Sequence, residues 1–360
     1  MPWSLIGLKS LKATLSRMIH SARFPHALLL TGPRRGGKFT VAKDLAKALN
    51  CLEPEPDASP CGVCLSCRKI EEGNHPDFIV KRPTGLSQSL AIDDIRDLIR
   101  SLGYRPFEGQ RRVVIIRKAD SFREEGAGSL LKTLEEPSLS TVLILTALSE
   151  SRVLPTLVSR CVRLRVPPLA RAEILAALKE RKNLTGPRAE LLAGLSGGAL
   201  GAALEWPPEE AWGRWASLDQ LFGQVIEGQA LGRKAVLDFT ATECQELEKL
   251  KKLDQEEAKK AEEGQETSGH RQGRYTRLLE FMRLWWRDVL VLAVTRDKNR
   301  LAGPAASLAQ RKWATEVSPK NLTARLKELD YLEDNLRRLS QSELVLTAYW
   351  LSLVNSLGPK

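Results

Sequence analysis

Apolar positions along this chain follow two rhythms, one helical and one continuous. Over residues 3–23, Leu5, Leu8, Leu11, Leu15, Met18 and Ile19 recur at near-helical spacing, which predicts one amphipathic helix ended by Phe24-Pro25-His26. Strand candidates follow: apolar runs at Leu28 to Leu30, Arg111 to Ile116 and Thr141 to Thr146, a short one at Asp77 to Val80, and a closing one at Val162 to Val166. The three apolar runs suit strands buried on both faces, as in a parallel sheet. Helical patterns separate them, over Val41 to Leu49, Ile92 to Leu102, Ala127 to Glu136 and from Pro155 to Arg160. Strands alternating with helices predict a doubly wound α/β domain. Past Pro167-Pro168 the pattern is helical only: short helices over 170–204, a linker at Trp206-Pro207-Pro208, then helices to the end. Leu278 to Leu292 is apolar on more than one face, as in a helix central to its domain or packed on a partner, and Leu344 to Leu353 is similar. Residues 243–263 are dense in Glu and Lys and read as a solvated helix, with a flexible loop over Gly264 to Gly273.

The first strand breaks into Gly32-Pro33-Arg34-Arg35-Gly36-Gly37-Lys38. Gly32, four residues, then Gly37-Lys38 is the spacing of a phosphate-binding loop: glycines let backbone N–H groups turn inward, and a helix N-terminus and a lysine add positive charge. A working loop then places Ser or Thr as a Mg²⁺ ligand, whereas this chain has Phe39, with Thr40 one position later. The acidic residues that hold the metal and polarise water belong at the end of a neighbouring strand. After Val113 to Ile116 stand Arg117 and Lys118, and Asp120 comes three residues too late. Losing the metal leaves charge on a transferring phosphoryl group unneutralised, so no useful hydrolysis is expected. The glycines with Lys38, Arg34 and Arg35 either still hold a phosphate or are kept for the fold alone; ATP as a ligand is in doubt.

Four of six cysteines cluster as Cys51-x9-Cys61-x2-Cys64-x2-Cys67, while Cys161 and Cys244 stand alone. Four thiolates with no open position predict a structural Zn²⁺ site; an iron–sulfur cluster and free thiols are the alternatives. The amphipathic N-terminus lacks a signal-peptide core and no apolar run reaches membrane-spanning length, which predicts a cytoplasmic protein with no membrane contact. The formal net charge of +11 over 360 residues favours acidic partners such as nucleic acid, though a solvated basic surface explains it equally well. Arg160, at the end of Leu154-Pro155-Thr156 to Ser159-Arg160-Cys161, is expected to face outward, and in an oligomeric ATPase would reach a neighbour's γ-phosphate as an arginine finger.

The order Pro25-His26-Ala27, phosphate loop, four cysteines, His75-Pro76-Asp77, Arg111 to Ile116, Leu130 to Pro137, Leu154-Pro155-Thr156 and Ser159-Arg160-Cys161 resembles bacterial DNA polymerase III clamp-loader subunits of the AAA+ superfamily over residues 1–205. The loss of the metal-handling residues makes it more similar to the stator than to the ATP-hydrolysing motors. The resemblance puts a sensor-1 threonine at Thr146 and finds no sensor-2 arginine near Ala202. It implies an AAA+ P-loop core over 1–166 with the zinc module (51–67) inserted, a helical lid over 167–208 and an all-α collar over 209–360. Implied too are vestigial nucleotide-binding positions Gly32, Gly37, Lys38, Thr40 and Thr146, and partners in motor (gamma/tau-type) and delta-type subunits, the sliding clamp and primed DNA. Two other readings stand beside it: an active ATPase in which Thr40 supplies the missing hydroxyl, and a direct nucleic-acid binder.

Overall fold

The computed structural model describes residues 3–21, 24–82, 105–122, 124–135, 140–227, 234–242, 273–338 and 342–355, with positions 95, 98, 99 and 102. The segment 243–272, Cys244 and the Glu136-Pro137 pair lie outside the described residues. The chain divides into two compact units, one holding residues to Ala177 with Gly197–Ala202, the other Leu178–Ser196 with Ala203 onward.

The first unit is built on five parallel strands: β1 (Ala27–Thr31), β2 (Phe78–Lys81), β3 (Arg112–Ile116), β4 (Thr141–Ala147) and β5 (Val162–Arg165), in the order β2-β3-β4-β1-β5. The expected α/β class with a parallel sheet is the one found. Continuous apolar runs are needed because β1, β3 and β4 are buried along their whole length. Alternate residues feed two cores. Leu28, Leu30, Val113, Ile115, Val142 and Ile144 face one with α2 (Lys38–Asn50), and Leu29, Val114, Ile116, Leu143 and Leu145 face the other. Ile95, Leu98 and Leu102, the described part of the expected helix over 92–102, are buried in that second core.

Two sequence-based expectations need correction. The first helix, α1, runs Lys9–His20 rather than from residue 3, because Leu8 takes a left-handed φ of 52° and interrupts any helix before it. Trp3 and Leu5 are nevertheless buried in the core, and Ser4 donates from its N–H and Oγ to Asp44, at 2.8 and 2.7 Å. Trp206, expected in a linker, is instead buried in the second unit: its ring meets Phe281 edge-on at 5.3 Å and its carbonyl accepts from Lys182 Nζ at 3.1 Å.

That second unit is helical among its described residues, as expected. Phe222, from the helix Pro208–Glu227, stacks on Trp285 at 3.9 Å and lies among Trp286, Trp313 and Trp350. The helix Gly273–Thr295 is therefore a core element, which is why its apolar residues cover more than one face. Its fully buried Asp288 accepts from the N–H groups of Ala302 and Gly303, at 3.0 and 2.8 Å. Among the described residues no helix is long and apolar enough to cross a membrane.

Candidate functional site: a phosphate loop and a four-cysteine cluster

The loop after β1 has the backbone its glycines predict. Gly32 adopts φ 153°, where a Cβ would lie 2.3 Å from the Val166 carbonyl, and Gly37 precedes α2 with φ 88°. Both conformations are open to glycine and strained for other residues. Gly36 N–H donates to the Pro33 carbonyl at 3.1 Å, closing the turn. Lys38, first in α2, folds back to donate to the carbonyls of Gly32 and Pro33 at 2.8 and 2.6 Å. Burial lowers its pKa, Arg34 and Arg117 add to the effect, and Asp120 opposes it.

The strand ends facing this loop carry the unexpected chemistry. β4 separates β1 from β3. The Arg117 guanidinium lies over the Phe39 ring, 4.8 Å from its centroid. Two residues far apart in the sequence are thus in contact with each other. Lys118 turns away from β3 with φ 57°, and its N–H meets Thr146 Oγ1, near the end of β4, at 3.3 Å. Burial lowers the pKa of Arg117 and of Lys118. Asp120 is nearer than its sequence offset suggested: its carboxylate is felt by both Lys38 and Lys118, and its Oδ1 is buried without a hydrogen-bond partner among the described residues. Gly201 N–H donates to the Arg35 carbonyl at 3.1 Å, so the Gly201-Ala202 segment lies against the loop and brings no cation to it from position 202. Thr40 is exposed.

Arg160 lies beyond the short helix Pro155–Val158 and before β5. It is half-buried rather than free: Nη1 donates to the Thr156 carbonyl at 3.1 Å and to Ser159 Oγ at 3.3 Å, and Nη2 pairs with Glu135. Sequence reasoning missed Glu135, which ends the helix Glu124–Glu135; only the Leu134-Glu135-Glu136 run marked it. Next to it, Cys161 is buried, and burial raises its thiol to about 11, so it behaves as a core residue.

The four clustered cysteines come together, with sulfurs all within 4.8 Å of one another. Cys51 follows α2, and Cys64 caps α3 (Leu65–Glu72), which carries Cys67. Cys51 Sγ lies 4.0 Å from Cys64 Sγ and 3.7 Å from Cys67 Sγ. Four sulfurs bound to one zinc ion at about 2.3 Å would stand about 3.8 Å apart, so the donor set and its spacing fit a tetrahedral ion. Backbone N–H groups also aim at the sulfurs: Cys61 N–H at Cys51, Cys64 N–H at Cys61 and Cys67 N–H at Cys64, at 3.3, 3.3 and 3.5 Å. Such donors favour thiolate. Burial works against ionisation of Cys64, but the N–H groups of Cys67 and Leu52 overcome it and bring the thiol to about 7. Burial raises Cys51 and Cys67.

Ion pairs tie α3 to α2, and a buried carboxylate orders the start of β2 nearby. Glu71 of α3 pairs with Lys43, at 2.7 Å, and with Lys47, both on α2. Asp77, fully buried, accepts from the N–H groups of Phe107, Glu108 and Gly109, at 2.8 to 2.9 Å, and from Arg112 Nη2 at 3.1 Å. The His75-Pro76-Asp77 sequence therefore has a structural explanation.

Residues 7–170 match the family model described as "DNA polymerase III, delta subunit". The chain is similar to the DNA polymerase III subunit delta' of Pseudomonas aeruginosa, 36% identical over 189 residues that make up 52% of this chain and 57% of that protein. The subunit delta' of Bacillus subtilis is 37% identical over 182 residues, 51% of this chain and 54% of that protein. The Escherichia coli DNA polymerase III subunit tau is 33% identical over 205 residues, 56% of this chain and 31% of that protein. The chain thus spans about half the length of the delta' relatives it matches. It is similar over about half its own length to DNA polymerase III delta' subunits, and residues 7–170 match the delta-subunit family model.

Proposed function

We propose that this chain is the non-hydrolysing stator of a DNA polymerase III clamp loader, a delta-prime-type subunit that helps load the sliding clamp onto primed DNA. The observation that carries this reading is the Arg117 guanidinium over the Phe39 ring. In a working site the residue after the loop lysine ligates Mg²⁺, and acids at the neighbouring strand end hold it and polarise water. An aromatic ring offers no ligand, and a guanidinium cation repels the metal. Thr40 is exposed, one position past the ligand place, and does not restore the set.

In this reading Arg160 acts on ATP held by a motor subunit of gamma/tau type, and Glu135 holds it until that neighbour is present. The four cysteines bind one structural Zn²⁺ that stiffens the segment between α2 and α3. The proposal includes the three-part division at 166 and 208, assembly with motor and delta-type subunits through the helical 209–360 region, and work in the cytoplasm. DNA and the clamp are met through the assembled complex.

The test is ATP turnover by the purified full chain with Mg²⁺. No rate above background is expected, and Lys38→Ala should change nothing. A rate comparable to a motor subunit's, abolished by Lys38→Ala, would overturn the stator reading in favour of an active ATPase.

A further inference from the structure

The residues that remove the metal site leave a surplus of positive charge around an intact phosphate loop. Lys38 and Lys118 each feel Arg34, Arg117 and the single carboxylate of Asp120. The partners of Lys38 Nζ are the neutral carbonyls of Gly32 and Pro33, which a phosphate oxygen can displace. Gly37 opens α2 with no side-chain cap, so the first N–H groups of a thirteen-residue helix face the turn without a competing acceptor from a cap. Arg117 is held over the Phe39 ring, beside Lys38 in sequence and at the strand end where a metal site would have its acids.

From this geometry we infer that the loop binds the di- or triphosphate group of a nucleotide without a divalent cation, the Arg117 guanidinium supplying the charge that Mg²⁺ supplies elsewhere. A guanidinium is permanently charged, planar and able to donate two parallel hydrogen bonds to phosphate oxygens. Phe39 stacks behind it and limits its rotamers, so less freedom is lost when a ligand arrives. Burial lowers the pKa of Lys38, Arg117 and Lys118, and like charge adds to it, from Arg34 and Arg117 at the two lysines and from Arg82 at Arg117. Asp120 is the counterweight; if its carboxylate took over as a metal ligand, binding would need Mg²⁺. The inference rests on the non-hydrolysing reading of the loop and adds a bound state to it.

The experiment is calorimetric titration of the full chain with ATP, ADP, inorganic tripolyphosphate and AMP, first in EDTA and then in excess Mg²⁺, with released phosphate measured in the same samples. ATP and ADP should bind in EDTA at least as tightly as in Mg²⁺, and AMP should not bind. Tripolyphosphate binding as tightly as ATP would show that the phosphates alone are recognised; its weaker binding would show that the nucleoside contributes, and either supports the site. Arg117→Ala should weaken ATP at least tenfold while the chain still melts cooperatively with only a small drop in melting temperature, and Arg117→Lys should recover part of the binding loss. Should Arg117→Ala fail to fold, Arg117→Gln keeps most of the side-chain volume and reads the same charge. No binding in EDTA, or binding that appears only with Mg²⁺, overturns the inference. Absence of both EDTA binding and turnover would sink this inference and leave the stator reading standing, whereas Mg²⁺-dependent turnover would sink both.

Discussion

The four-cysteine module and the phosphate loop lie at opposite ends of the same helix, α2, and differ in what they have kept. Cys51, after the C-terminus of α2, has its three partner sulfurs at ligand spacing and backbone N–H groups aimed at the set. Gly37 and Lys38, at the N-terminus, hold the backbone turn and the lysine, and Phe39 beside them packs under Arg117, in the proposed reading at the metal-handling positions. Backbone geometry is fixed by glycines, and by how the strand and helix pack. Catalytic capacity depends on a few side chains that the fold can lose. In the proposed reading, the loop stays legible in the fold after its chemistry has gone.

The comparison is broken most forcefully at the four cysteines, by testing for the proposed zinc ion and removing it. Structural zinc in small modules is worth about 10–16 kcal/mol of apparent binding energy at neutral pH. About one zinc ion per chain should be found by atomic absorption. A strong chelator, or Cys67→Ser, should remove it and abolish the cooperative melting of the segment between α2 and α3. A full-length chain that purifies metal-free with an unchanged melting curve would contradict the module's proposed role.

Asp77 is the next largest effect. Breaking a buried carboxylate–arginine pair costs about 3–5 kcal/mol, because the partner charge is left without compensation. Asp77→Ala should lower the urea midpoint accordingly. Burial alone would raise this carboxyl, but the N–H groups of Gly109, Glu108 and Phe107, with Arg112, hold it below the usual aspartate value. A depressed carboxyl adds stability above the unfolded-state pKa, and this is lost as pH falls through the lower folded-state value. Wild-type stability should therefore drop in acid below about pH 4, and Asp77→Asn should flatten that drop. An identical acid profile in the variant would rule out the assignment.

The smallest effect tests the Phe39–Arg117 contact itself. A double-mutant cycle with Phe39→Leu and Arg117→Gln should give a coupling of about 0.5–2 kcal/mol in unfolding free energy. Zero coupling would mean that the ring and the guanidinium are merely neighbours.

Sequence made legible whatever depended on local spacing. The five strands, three of them fully buried, the Gly32 to Lys38 turn and the Cys-x2-Cys steps each declare themselves within a few residues. It did not show contacts between distant segments. In the sequence Phe39 and Arg117 stand as two separate departures from the pattern, and their contact needs the sheet order that brings the end of β3 near the start of α2. Glu135 could not be paired with Arg160, nor Asp77 with residues 107–109, for the same reason. Trp206 misled because a Pro-Pro pair signals a linker locally, while its burial is decided by Phe281 and Lys182. The start of α1 was missed because Leu8 takes a left-handed backbone conformation that leucine rarely adopts.

In the proposed function this chain has given up its own hydrolysis and serves a neighbour's. The most direct measurement is ATP turnover by a clamp-loader complex reassembled with Arg160→Ala in place of the wild-type chain, with assembly checked by gel filtration. An arginine finger is worth about 10³–10⁵ in rate at the site it serves, so the complex should assemble normally and lose turnover at that one site, with clamp loading impaired. Normal assembly with unchanged turnover and unchanged loading would contradict the claim.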